Sequence, residues 1–152
     1  MQALNLPACH PDVSREDGKS FIFDPLRRKK VALTPEEWVR QHFVNYLVTE
    51  KSYPAALLAN EVTIALERLS RRCDTVVYSP CLEPLAIVEY KAPSVRVTQQ
   101  VFEQIARYNL SLRVKCLMVT NGLEHYCCRI DYKKPDYAYL KEIPAYEALG
   151  RL

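Results

Sequence analysis

Apolar positions recur along this chain in two periods, and the switches between them mark its elements. Phe21-Ile22-Phe23 and Val31-Ala32-Leu33 are short apolar runs separated by Asp24-Pro25 and a basic cluster, which predicts a hairpin over 20–33. Thr34 then opens a helix. It is a good N-cap, Pro35 suits the first helical position, and Glu37 stands at capping-box spacing. Leu33 and Trp38 occupy the staple positions, and Trp38, Val39, Phe43, Tyr46 and Leu47 form a helical stripe. Pro54 disfavours helix at Tyr53, so the helix ends near Lys51.

The period then shortens. Glu61–Leu66, Cys73–Tyr78 and Leu85–Lys91 read as strands, the second and third joined by a proline-containing turn over 79–84. Pro93 and Ser94 break the third. Gln99 to about Leu112 reads as a second helix, with Val101, Ile105, Tyr108 and Leu112 on one stripe. Cys116–Thr120 is a buried-type strand, Asn121-Gly122 a turn, and Glu124–Ile130 its partner. The tail carries Tyr132, Tyr137, Tyr139 and Tyr146 and ends in a weak helix. Residues 1–18 contain Pro7, Pro11 and Gly18 and read as a loosely held arm. The expectation is this arm followed by one mixed α/β domain over 19–152, built on a central sheet.

Composition narrows the function. With 152 residues the chain has the length of one domain, and 49% hydrophobic with 26% charged residues is ordinary for a globular protein. No apolar stretch is long enough to span a bilayer, and no basic flank leads into an apolar run, so neither a membrane span nor a signal peptide is expected. The three glycines are scattered, which excludes a Walker-type phosphate loop and a GxGxxG fingerprint. The net charge of +3 is too small to argue for nucleic acid by itself. Two clusters, Arg27-Arg28-Lys29-Lys30 and Arg68 with Arg71 and Arg72, are candidate phosphate contacts, the first with a solvated turn as its plain alternative. The six cysteines form no CxxC pair and read as reduced thiols of a cytoplasmic protein. Strand alternation expects one of Cys127 and Cys128 in the core.

One constellation carries chemistry. A symmetric hairpin of the second and third strands sets Val76 opposite Ile87 and Asp74 opposite Glu89. Facing carboxylates repel, so a positive group or a proton must compensate. Ile87, Glu89 and Lys91 share a face, which brings Lys91 near both acids. Asp74, Glu89 and the Tyr90 main-chain carbonyl make a hard oxygen site suited to magnesium. A lysine beside such a site can orient the attacking water of a phosphodiester hydrolase. The plain alternative is a surface strand with a Glu/Lys pair and an unrelated Asp. Gln104 and Tyr108, at i and i+4, share one helix face after the third strand.

The runs RRCDTVVY, IVEYKAP and QIARY, with TPEEWVRQ before them and VTNG after, occur in the order found in PD-(D/E)XK nucleases. From about Ser20 to Ile130 the chain resembles the N-terminal nuclease domain of type I restriction enzyme R subunits. That resemblance implies a restriction-endonuclease-like fold, a mixed central sheet flanked by helices. It implies that Asp74 and Glu89 bind magnesium or manganese and that Lys91 is catalytic. It assigns Gln104 and Tyr108 to a QxxxY motif that shapes the site and contacts nucleic acid. Glu37 matches an acidic residue of the first helix that contributes to the metal site; its other reading is the capping box. Glu61 is either near the site or a surface carboxylate. Arg72 is either a phosphate contact or a partner of the carboxylates. The implied reaction is hydrolysis of DNA phosphodiester bonds, with DNA, a separate motor or specificity subunit and a second copy of the chain as partners. A nucleic-acid-binding or partner-binding domain that keeps the fold without activity is the alternative.

Overall fold

The computed structural model describes residues 1–66, 68–109, 112–133 and 136–152, excluding the side chains of Leu66, Leu69, Tyr108, Asp136 and Tyr137. Two sheets organise the chain. The smaller is an antiparallel meander of β1 (Val13–Glu16), β2 (Lys19–Asp24) and β3 (Lys29–Ala32). The larger has six strands in sequence order: β4 (Leu58–Leu66), β5 (Leu69–Tyr78), β6 (Pro84–Tyr90), β7 (Cys116–Thr120), β8 (His125–Asp131) and β9 (Asp136–Tyr139). Among the described strands only β6 and β7 pair in parallel, and α2 (Gln99–Asn109) lies in the crossover between them.

The sheet is covered on both faces. Helix α1 (Pro35–Glu50) packs Val39, Phe43 and Leu47 onto Val77, Val88, Tyr90, Met118 and Cys127. Helix α2 packs Phe102 and Ala106 onto Val76, Ile87, Leu117, Val119 and Cys128. This sandwiching explains why β7 is buried at every position, as the run Cys116–Thr120 predicts. It also corrects the cysteine expectation. Cys127 and Cys128 point to opposite faces, yet each face meets a helix-covered core, so both are buried.

The first helix begins as its signals predict, with Thr34 accepting from the Glu37 amide at 3.1 Å. The strands β4 and β5 run longer than the apolar pattern predicts, because Ala59, Asn60, Arg71 and Arg72 join the ladder through their main chains. Strand β9 was hidden in the tyrosine-rich tail. The short α3 (Tyr146–Leu149) closes the chain.

The N-terminal segment is not loosely held. Asp17-Gly18, both at positive φ, form a two-residue hairpin turn that joins β1 to β2. Upstream, the Asn5 amide donates to Gly122 at 2.9 Å, and Trp38 Nε1 donates to the Gln2 carbonyl at 2.9 Å. Leu4 and Leu6 pack on the α1-side core. Main-chain bonds and apolar burial therefore fix a segment whose prolines suggested an unattached arm.

Candidate active site

The site forms where β5 and β6 stop pairing. Val76 faces Ile87 and Thr75 faces Val88, the expected register; its one irregularity falls at Val77/Tyr78, on the turn side. The next step beyond Thr75↔Val88 sets Asp74 against Glu89. There the ladder gives way to a side-chain bond: the Tyr90 amide donates to Asp74 Oδ2 at 2.9 Å. On the other side, β4 is interrupted at the same level. Asn60↔Thr75 and Val62↔Cys73 flank Glu61, whose φ of +56° lies in the left-handed region that a glutamate rarely adopts. Asp74 thus sits at a break shared by three strands.

The Glu89 side chain is half-buried, on a cleft it shares with residues of α2. Burial raises its carboxyl to about 9, helped by the negative charge of Asp74 and a hydrogen bond shared with it, while Lys91 and Arg40 pull the other way. Its Oε1 is buried with no hydrogen-bond partner. Glu89, Lys91, Gln104, Ile105, Asn109 and Arg72 line one open cleft of about 360 Å³. Of the residues expected from β5, β6 and α2, Arg72, Glu89, Lys91 and Gln104 meet at this cleft, and Asp74 stands beside Glu89. Tyr108 lies in α2 one turn after Gln104, but its side chain is outside the described residues. The Tyr90 ring points away into the α1-side core, its hydroxyl bonded to Thr75 at 2.9 Å.

Glu37 takes a different place. Its carboxylate meets Arg27, Arg40 at 3.3 Å and Gln41 at 3.1 Å. Among the described residues no three His, Cys, Asp or Glu side chains are grouped to hold a metal ion, so Glu37 does not join Asp74 and Glu89 in a three-carboxylate cluster. Two carboxylates and main-chain oxygen remain as the donor set.

Arg40 links these parts and was missed in the sequence. Its guanidinium donates to the Asp74 carbonyl at 3.0 Å and to the Glu61 carboxylate, pairs with Glu37, and lies 5.5 Å from the centre of the Tyr90 ring. Glu61 accepts a second arginine, Arg72 Nε at 2.7 Å. Both bonds hold its carboxyl below the usual range against the opposing effect of burial, the largest single influence. A further chain runs from the meander: Arg27 and Asn60 both bond Asp24, Thr75 donates to Asn60 at 2.7 Å, and Tyr90 meets Thr75. The one available signal for Arg40 was its place in TPEEWVRQ, where only Glu37 was assigned a role.

Comparisons with known proteins place the family and the fold. Residues 35–144 match the family model described as Type I restriction enzyme R protein N terminus (HSDR_N). A fragment described as an HsdR subunit of a type I restriction enzyme from Vibrio vulnificus YJ016 has a similar fold, with a TM-score of 0.56 at 20% identity over 78% of this chain. The match covers 25% of that longer chain. A search of curated proteins finds no match. No helix among the described residues is long and apolar enough to cross a membrane. With 110 consecutive residues inside the family model, across α1, α2 and the site-bearing strands, the chain belongs to the type I restriction enzyme R protein N-terminal family.

Proposed function

We propose that this domain hydrolyses phosphodiester bonds of DNA, using magnesium or manganese held by Asp74 and Glu89. The observation that carries this reading is the convergence of Glu89, Lys91, Gln104 and Arg72 on one open cleft, with Asp74 set against Glu89. The donor set fits a hard cation. It offers oxygen alone, from two carboxylates and the main chain, it brings two acids together at a mutual cost, and it leaves Glu89 Oε1 without a partner. Magnesium keeps several waters and needs few protein ligands. When bound, the cation supplies polarisation of the phosphate and a more acidic attacking water.

The chain's own residues do the rest. Tyr90's amide fixes the Asp74 carboxylate, and Arg40 fixes its backbone. Lys91 brings an ammonium to the same cleft, where it orients the attacking water and balances charge developing on the phosphate. Arg72, 72% exposed, reaches the phosphate from the β5 side. Gln104 offers an amide that positions the backbone of the substrate. As a member of this family, the domain serves as the nuclease part of a type I restriction assembly in the cytoplasm, with motor and specificity functions on other subunits or segments.

The test is cleavage of labelled duplex DNA by the purified chain with magnesium, manganese or EDTA. Metal-dependent product from wild type, absent from Asp74→Asn and Lys91→Met, is the expected result. Failure of folded wild type to cleave any DNA or RNA with either metal would sink the reading in favour of a non-catalytic binding domain.

A further inference from the structure

The β4–β5 hairpin continues past the point where β6 stops pairing. Its ladder runs from Val62↔Cys73 to Leu66↔Leu69, whereas β6 meets β5 only at Thr75–Tyr78. This free end is anchored rather than dangling. Ile64 and Cys73 are buried in the α2-side core, and Val62 packs against it. The other side faces solvent. Thr63 pairs with Arg72 and Ala65 with Ser70, and all four are exposed. On this face the described side chains between Arg72 and Arg68, those of Thr63, Ala65 and Ser70, are small and uncharged, while Arg71 pairs with Ile64 and belongs to the other face. Arg72 stands at its root, where it lines the cleft, and Arg68 stands exposed at its tip with no ion-pair partner among the described residues.

We propose that this ribbon is a track for duplex nucleic acid, holding the sugar-phosphate backbone without reading bases. The proposal rests on the nuclease reading for the identity of the polymer. Arg72 and Arg68 are four positions apart, a span of about 13 Å along a strand. That is about four base pairs of rise at ~3.4 Å each. Small side chains between two cations let a duplex lie close, and among the described side chains of this face none that is long or amide-bearing stands between them to select a base. Arginines also guard free hairpin edges against pairing with other chains. That role does not require Arg72 to reach into the cleft, nor a bare strip leading out of it.

The experiment is fluorescence anisotropy of two labelled duplexes of unrelated sequence, titrated with the full chain in EDTA at several salt concentrations. Arg68→Glu is expected to weaken binding at least tenfold at low salt and to flatten the salt dependence by about one phosphate contact. Ala65→Glu, which places charge on an exposed site without touching the core, is expected to weaken it similarly. Lys29→Glu, at the exposed start of β3, is expected to stay within about twofold of wild type. Equal affinity of wild type and both ribbon variants overturns the track, as does a tenfold preference for one sequence or no duplex binding by wild type. Arg68-dependent binding without magnesium-dependent cleavage overturns the nuclease reading alone. Cleavage by wild type with unaffected ribbon variants overturns the track alone.

Discussion

Arg40 donates from Nη1 to the main-chain carbonyl of Asp74 at 3.0 Å, across 34 residues of sequence. The same guanidinium neutralises Glu37 and Glu61, so one buried cation from α1 fixes the backbone of a proposed metal ligand and two carboxylates around it. Replacing it strands those acids. Arg40→Met is expected to cost about 3–5 kcal/mol, the usual penalty for leaving half of a buried pair. Arg40→Lys keeps the charge but not the fork and should recover only part of this. Urea midpoints report both. A methionine variant as stable as wild type would show that the network contributes nothing.

Gly122 and Leu4 make a second such contact. Gly122 has φ +86°, and a Cβ there would stand 2.7 Å from Leu4 Cδ2 and 3.1 Å from Val39 Cγ2. The N-terminal segment is held by the Gly122 carbonyl and by His125 Nε2, which donates to the Asn5 carbonyl at 2.8 Å. Gly122→Ala is expected to cost about 1–2 kcal/mol from backbone strain. Because Leu4 is the atom that must yield, the variant should also release the segment, seen as faster proteolysis within residues 1–12. Unchanged proteolysis would mean that the segment docks independently of this contact.

Local grammar explains what was readable beforehand. Thr34, Pro35 and Glu37 act within one turn, so α1 was legible to its first residue, and the β5–β6 register expected from a symmetric turn over 79–84 holds at Thr75–Val77, inward of the irregularity at Val77/Tyr78. β7 was legible because a strand covered on both faces is apolar throughout. β1 escaped because Asp17-Gly18 lies among polar residues with no apolar alternation to frame it, although the dipeptide itself is a hairpin signal. The outer parts of β4 and β5 escaped because Thr63, Arg71 and Arg72 pair through their backbones and so break the apolar pattern. Arg40 was illegible for a different reason. Its partners come from α1, β4 and β5, and no spacing in one segment encodes a meeting of three.

Asp24 offers a pH test away from the cleft. Its side chain is fully buried between Arg27, Asn60 and the Leu26 amide. Burial alone would raise its carboxyl, but the bonds from Asn60, Arg27 and Leu26 outweigh it and hold the carboxyl below its ordinary value. A group with a lowered folded value stabilises above its unfolded value and loses that contribution as pH falls through the folded one. Asp24→Asn should therefore be less stable than wild type near neutrality, by about 1–3 kcal/mol for a buried charge-assisted bond. The gap should close as pH drops below about 4, the ordinary range of an unfolded aspartate. Urea titrations of the two proteins from pH 7 to pH 3 check it, and a gap that stays constant with pH would rule out the linkage.

Glu89 has the opposite sign. Its folded carboxyl is raised to about 9 by burial and by Asp74, so the native state takes up a proton that the unfolded chain has released. Between the ordinary glutamate value of ~4.3 and about 9, this group makes the fold less stable as pH rises. Glu89→Gln removes both the carboxylate and its repulsion, and should stabilise the metal-free protein by an amount that grows over that window while abolishing cleavage. A cation reverses the balance, because a ligating carboxylate must be deprotonated. Magnesium binding by wild type should release close to one proton per ion and tighten as pH rises. Calorimetry in two buffers of different ionisation enthalpy measures that proton directly. Glu89→Gln should show neither the release nor the pH dependence, whereas pH-independent binding to wild type without proton release would place the cation away from Glu89.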